Sequence, residues 1–330
     1  MASSSLQRFF DAVATLIGEE NISRTPGHGA LQGPHGQHSY ADPFALHDKH
    51  DPIGALRPKQ VPEVQEILRL ANAHRTEALF PVKKGCVVLD LHHMNRIIEI
   101  NEESAYTIVE PGVSFFDLYH EIKKRGLNLW PSVPAIGWGS VLGNTLDRGF
   151  GYTPQGEHSQ LQCGMEVVLP TGELIRTGMG AMKDSALFPL FKDGYGPSMD
   201  VLFYQSNLGV VTKIGMHITP APEAYATVEV SIPQESDLVP LVGSLSDLMR
   251  RSVILNSPSI ANIFRIALTS QNPEVLAEMK KYINPGSCVP YSALEEIRTR
   301  QGWGFWKAYF SLYPPVEVLP GLLKTIQRAA

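Results

Sequence analysis

Apolar residues at the start of the chain recur at helical intervals. Leu6, Phe9, Phe10, Val13, Leu16 and Ile17 fall three or four apart, and the spacing predicts an amphipathic surface helix over 1–19. Arg8, Asp11 and Glu19 interrupt the segment, so it does not read as a secretory signal. Residues 62–74 (PEVQEILRLANAH) repeat the pattern with Val64, Ile67, Leu68 and Ala71 on one face and Pro62 at the first position. Between them, 21–58 is rich in Gly, His and Pro and reads as an irregular arm.

Beyond residue 85 the period shortens. CVVLDL (86–91) reads as a buried strand, and 96–100 and 106–109 as strands joined by the polar turn Asn101-Glu102-Glu103-Ser104. Ser114 caps a helix over 115–125, with Asp117 in its first turn. Residues 165–169 and 173–177 flank Pro170-Thr171-Gly172 and predict a hairpin. Residues 210–218 form another strand. Helices and strands mix without strict βαβ alternation, which indicates an α+β fold and not a doubly wound sheet. After Pro220-Ala221-Pro222 the texture changes to a strand over 225–232 and two or three amphipathic helices, with Trp303, Phe305, Trp306, Tyr309 and Phe310 as the core face of one element or, alternatively, an exposed interface. The boundary is set near Ala221.

The bulk numbers remove several functions. The 330 residues, 43% apolar and 18% charged, can bury a substantial core. A net charge of −5 gives no electrostatic case for nucleic acid or an anionic membrane, and no run is long enough to span one. The three cysteines, Cys86, Cys163 and Cys288, form neither a disulfide framework nor a CxxC pair, so the expectation is an intracellular protein. Two HxxH pairs (His35/His38 and His47/His50) and His28 sit in the irregular arm and read as solvated histidines, so no metal site is assigned. His92 and His93 are expected to cap or line a strand end. There is no Gly-x-Ser-x-Gly elbow.

The most informative segment is 131–156, PSVPAIGWGSVLGNTLDRGFGYTPQG. Glycines let backbone approach a ligand and turn its N–H groups toward phosphate or carbonyl oxygens. The spacing is neither the Rossmann fingerprint nor a Walker motif. By composition alone it reads equally well as a structural loop.

The runs VPAIGWGSVLGNTLDRGFGYTPQGEH, GMEVVLPTGELIRTGMGA and QSNLGVVTKIG are similar to those of the vanillyl-alcohol oxidase and p-cresol methylhydroxylase family. EVQEILRLAN, VVLDL, MNRIIEIN and YTIVEPGVSFFDL follow the family order, and the resemblance runs from about Pro58 to the C-terminus. It implies a two-subdomain PCMH-type FAD-binding domain over 56–221, preceded by a helix and arm over 1–55 and followed by the beginning of an α+β cap domain over 222–330. It also implies hydride transfer from a para-substituted phenol or aryl alcohol to flavin N5, with O2 or another acceptor taking the electrons. By the same resemblance Pro134, Ala135, Gly139, Ser140, Gly143, Asn144, Asp147, Gly149, Gly151 and Tyr152 line the flavin and pyrophosphate. Asn207, Gly209 and Val210 meet the adenine side or the middle of the cofactor.

Three departures accompany the resemblance. The family's glycine-rich pyrophosphate loop has no counterpart between Phe80 and Pro81. Ala135 stands where the family oxidases place an Asp near flavin N5. The family's covalent flavin ligand and its Tyr-Arg phenolate pair fall beyond Ala330, and a family His that assists attachment has no counterpart around Asp42-Pro43-Phe44. The expectation is therefore non-covalent FAD and no assigned catalytic residue. The alternative is a catalytically inactive, truncated relative or a flavin-free binding protein. A cytoplasmic or peroxisomal location is expected, although the last residues carry no peroxisomal tripeptide. The sequence leaves a homo-oligomer open.

Overall fold

The computed structural model describes residues 2–24, 32–33, 36–37, 52–74, 86–282 and 288–329. The HxxH histidines, Asp42-Pro43-Phe44 and the connection around Phe80 and Pro81 lie outside the described residues. The architecture is mixed α+β. Contacts divide the chain into two units: Met1–Phe150 with Glu157–Pro220, and Gly151–Gly156 with Ala221–Ala330.

In the first unit, helix Ala2–Ile17 buries Phe9, Phe10 and Val13 in one cluster with Leu56, Val87 and with Ile67 and Ala71 of helix Val61–His74. Beside them stands a small sheet of Ile22–Ser23, Gly54–Leu56 and Val87–Leu89. Gly54–Leu56 and Val87–Leu89 run parallel, and helix Val61–His74 lies in the connection that a parallel pair requires.

The larger sheet has the order Leu174–Arg176, Gln162–Val168, Val210–His217, Tyr106–Val109, Ile97–Asn101, and every neighbour is antiparallel. Helix Phe115–Lys124 contributes Phe115, Leu118 and Ile122, all fully buried, to the core they share with Met165, Val167, Ile214 and Met216. Its start is a capping box: Ser114 Oγ accepts from Asp117 N–H, and the Asp117 carboxylate accepts from Ser114 N–H. Strand Gln162–Val168 is buried along its whole length, which a central strand covered on both faces explains.

Glu166 is the charged exception on that strand. Arg176 Nη2 at 2.8 Å and Lys213 Nζ at 3.1 Å meet its carboxylate from the two flanking strands. Burial pushes its carboxyl up, but the two cations outweigh this and hold it below the usual range. The hairpin turn is tied to the neighbouring helix: Gly172 has φ 82°, and its carbonyl accepts from Gln65 Nε2 at 2.8 Å and Arg69 Nη2 at 3.0 Å.

The second unit is built on an antiparallel sheet of Ala226–Ile232, Trp306–Leu312 and Ser259–Asn262, with Trp306–Leu312 central. Helices Leu238–Arg250, Ile263–Leu268, Pro273–Lys280, Tyr291–Gln301 and Leu319–Ala329 accompany it, more than the two or three expected. Ile263–Leu268 and Pro273–Lys280 are too short to show a full apolar stripe, so periodicity passes over them. The aromatic group spans the turn into the central strand and the strand itself. Phe305 and Phe310 are buried, and Trp303, Trp306 and Tyr309 are half-buried.

Candidate functional site

The glycine-rich segment leaves strand Leu129–Trp130, crosses the start of helix Phe115–Lys124 and enters a short helix, Val141–Leu146. Two backbone bonds seat it: Phe116 N–H donates to Gly137 O at 3.0 Å and Phe115 N–H to Gly139 O at 3.2 Å. Pro134 is half-buried and Ala135 exposed. Three large apolar side chains here are not in the core: Ile136 is 65%, Trp138 72% and Phe150 54% exposed. Trp138 stands edge-on to Phe116, with ring centroids 5.0 Å apart.

Ser140 is the N-cap of the short helix. Its Oγ accepts from Gly143 N–H at 2.9 Å and donates to Pro111 O. A Cβ at Gly143 would stand 3.3 Å from that of Ser140, so the cap leaves little room for a side chain. Asp147 is the exposed C-cap residue. Arg148 follows with φ 55°, and its guanidinium lies 5.4 Å from the Tyr204 ring centroid.

Asn144 is held from two sides. The backbone of Gly149 packs on its amide, and His158 Nδ1 meets its Oδ1 at 2.5 Å. His158 is fully buried, 5.2 Å from the Phe115 ring. Burial pushes its imidazole down to about 4 from an ordinary value of 6.5, and the Ser132 backbone opposes that only in part. The ring is therefore neutral at physiological pH.

The remaining expected residues divide. Gln205, with φ 47°, donates its N–H to Leu146 O at 3.0 Å and its side-chain amide to Asp147 O at 3.1 Å, bringing the 203–209 turn to the end of the short helix. Asn207 is exposed on that turn. Gly209 is needed by the core, since a Cβ there would stand 2.6 Å from Val167 Cγ1. Val210 packs with Val64, Leu68, Met94 and Val168, so its side chain is committed to the interior. Gly151 and Tyr152 belong to the second unit. There the Gly151 N–H donates to Gly156 O at 2.8 Å, and the Tyr152 carbonyl accepts from Asn256 Nδ2 at 3.1 Å and Tyr313 Oη at 2.7 Å.

Sequence reading left His158 without a role and did not find Gln205. A histidine just ahead of a mostly apolar strand was the available signal for the first. The left-handed backbone at Gln205 leaves no trace in residue type. A second buried polar group, Asp200, is 1% exposed, and among the described residues neither carboxyl oxygen has a well-formed hydrogen bond. Desolvation pushes its carboxyl up, against the polar side chains of Thr177 and Gln162 beside it. Among the described residues no group of three His, Cys, Asp or Glu side chains is placed to hold a metal, and no helix is long and apolar enough to cross a membrane. A cleft of about 290 Å³ in the second unit, between Leu241, Leu245, Phe310 and Ile326, contains none of the expected site residues.

The segment's chemistry fits FAD. Exposed apolar surface at Ile136, Trp138 and Phe150 suits a flat ring system, and small residues at 134, 135, 139 and 143 keep the backbone accessible. The Asn144 amide supplies a polar contact held in one place.

Comparison with known proteins agrees with this. Residues 52–178 match the FAD binding domain family. The chain is 37% identical to the flavoprotein subunit of 4-cresol dehydrogenase (hydroxylating) from Pseudomonas putida, over 81% of this chain and 53% of that protein. Its fold superposes on a p-cresol methylhydroxylase crystal structure with TM-score 0.88 and 31% identity, covering 99% of this chain and 64% of that one. For 4-ethylphenol oxidase from Gulosibacter chungangensis the values are 0.87, 29%, 99% and 63%. The chain belongs to the PCMH-type FAD-linked oxidoreductases, the family of p-cresol methylhydroxylase and vanillyl-alcohol oxidase. It spans between about half and two thirds of the length of these relatives.

Proposed function

We propose that this chain is the flavin-holding part of an FAD-dependent oxidoreductase acting on a para-substituted phenol or aryl alcohol, with O2 or a protein acceptor taking the electrons. The observation that carries the reading is the 131–149 segment, where exposed apolar side chains flank a clamped amide in a domain of an FAD-binding family. The names of the relatives, a 4-cresol dehydrogenase and a 4-ethylphenol oxidase, support the substrate class.

FAD, when bound, supplies the hydride acceptor. The chain's own part is to bind and orient it. Ile136 and Trp138 offer apolar cover, Gly139 and Gly143 allow close approach, and Asn144 contributes one fixed polar contact. Residues 56–221 form the cofactor domain in this reading and 222–330 the start of a cap. Ala135 presents only a methyl, which can neither accept a proton nor donate a hydrogen bond. The flavin is therefore held without acid–base help from that position, and its attachment is read here as non-covalent.

Ala135 also favours a second reading, a relative that keeps the fold and binds flavin without turnover. One experiment separates them. The purified chain is incubated with FAD, its visible spectrum is recorded, and 4-cresol or 4-ethylphenol is added without oxygen. Yellow protein that bleaches supports the oxidoreductase; yellow protein that stays oxidised supports the second reading; colourless protein overturns both. Acid precipitation should leave all the colour in the supernatant.

A further inference from the structure

We propose that the outward face of helix Leu238–Arg250 is a docking surface for a second copy of this chain, with the two helices antiparallel about a two-fold axis at Gly243. The surface lies in the second unit and owes nothing to the FAD reading.

The helix carries two apolar stripes. Leu241, Leu245 and Leu248 are buried and face the core of the unit. Away from them Val239 is 78%, Val242 42% and Met249 41% exposed. With Ser246 these positions follow steps of three, four and three, the spacing of a seam between paired helices. Single exposed apolar side chains are ordinary, but the inner stripe already anchors this helix and does not call for a second one.

Gly243 lies on the outward side, in the middle of the helix, and glycine is a poor helix former. Its φ is not in the left-handed region, and a Cβ built there would meet nothing within 4 Å. The fold of one chain therefore gives no steric reason for glycine at this position. At the crossing of two helices, glycine lets the backbones approach closely.

Charge sets the direction and the partner. Glu235 and Asp237 precede the helix, Arg250 and Arg251 end it, and the midpoint between the two groups falls at Gly243. A two-fold axis there lays the acids of each copy against the arginines of the other at both ends, with the helix dipoles opposed. A parallel pair would set like charges together. A face that is its own complement under a two-fold turn fits a copy of itself. These groups have bonds to spare. Asp237 is the N-cap residue, yet its side chain makes no cap bond and, among the described residues, accepts from Ser236 Oγ at 3.3 Å. Arg251 Nε meets Asp247 at 2.7 Å and Arg250 Nη2 meets it at 3.8 Å, but the two arginine side chains are 70% and 73% exposed and each guanidinium has further N–H donors.

Sedimentation velocity of the full chain over a range of concentrations should show a monomer–dimer equilibrium. In Gly243→Trp the new side chain enters open space in the single chain, so circular dichroism should be unchanged while the dimer dissociation constant rises about tenfold or more. Charge reversal tests the register. Glu235→Arg with Asp237→Arg, and separately Arg250→Glu with Arg251→Glu, should each weaken self-association, and an equimolar mixture of the two variants should form a heterodimer. A chain that stays monomeric at every concentration overturns the proposal. So does a dimer that tolerates Gly243→Trp and both reversals, since it is built on another face. Reversed variants that lose self-association and do not recover it on mixing overturn the antiparallel pairing.

Discussion

Gly149 is pressed against Asn144: a Cβ built at 149 would stand 2.3 Å from the Asn144 amide oxygen. A side chain at 149 would thus fall where the Asn144 amide lies. Gly149→Ala should push the Asn144 amide out of place and cost about 1–3 kcal/mol, the usual penalty for overpacking. Urea denaturation measures that loss, and FAD affinity should fall with it. A variant as stable as wild type would show that the amide can move aside freely.

Ser140→Ala separates support of the fold from contact with a ligand. The Ser140 hydroxyl accepts from Gly143 N–H and donates to Pro111 O, so both of its ordinary bonds are internal. Loss of the cap should cost about 0.5–2 kcal/mol in the absence of any flavin. If the apo-protein melts unchanged while FAD affinity drops, the hydroxyl serves the ligand and not the helix.

His158 makes stability depend on pH in a definite window. Its imidazole sits at about 4 in the fold against an ordinary 6.5, so the unfolded chain binds the extra proton first. The stabilisation is fully present above pH 6.5 and is lost as pH falls toward 4. A displacement of this size corresponds to about 3 kcal/mol. Unfolding free energies at pH 7.5 and pH 4.5 should differ by much of that amount, and His158→Gln should flatten the slope. An equal slope in the variant would assign the pH effect to other groups.

Asp200 acts in the opposite direction. Desolvation raises its carboxyl in the fold, so the protonated form is favoured there more than in the unfolded chain. Stability from this group is greatest below its ordinary value of 3.8 and is lost as pH rises through the raised one. Asp200→Asn should therefore stabilise the chain at pH 8 by about 1 kcal/mol or more, since an amide has no charge to bury. A destabilised variant at that pH would mean that the ionised carboxylate is wanted.

These residues also show what sequence reading reaches. Strand Tyr106–Val109 and the Ser114 cap were legible because β-prone runs beside a polar turn and capping are local signals, and both depend on residues a few positions apart. The glycine-rich segment was legible through its similarity to a family. The roles inside it were not. Gly149 is glycine because of Asn144, and Asn144 is fixed by His158, fourteen positions on. Nothing in 131–149 announces that partner. Gln205 was missed for a related reason: it joins Leu146 and Asp147 through backbone in a left-handed conformation that its residue type does not require. Val210 was expected at the cofactor through the same similarity, and the structure packs its side chain with Val64, Leu68, Met94 and Val168.

The order of the five-stranded sheet bears on how the chain is made. Its middle strand, Val210–His217, is the last of the five to leave the ribosome, and it must slot between Gln162–Val168 and Tyr106–Val109, which are already synthesised. Until then two apolar strands wait with open edges, the arrangement most prone to pairing with a neighbouring chain. Nascent chains stalled before residue 210 should need a chaperone to stay dispersed, whereas chains released after residue 220 have the strand that closes the gap.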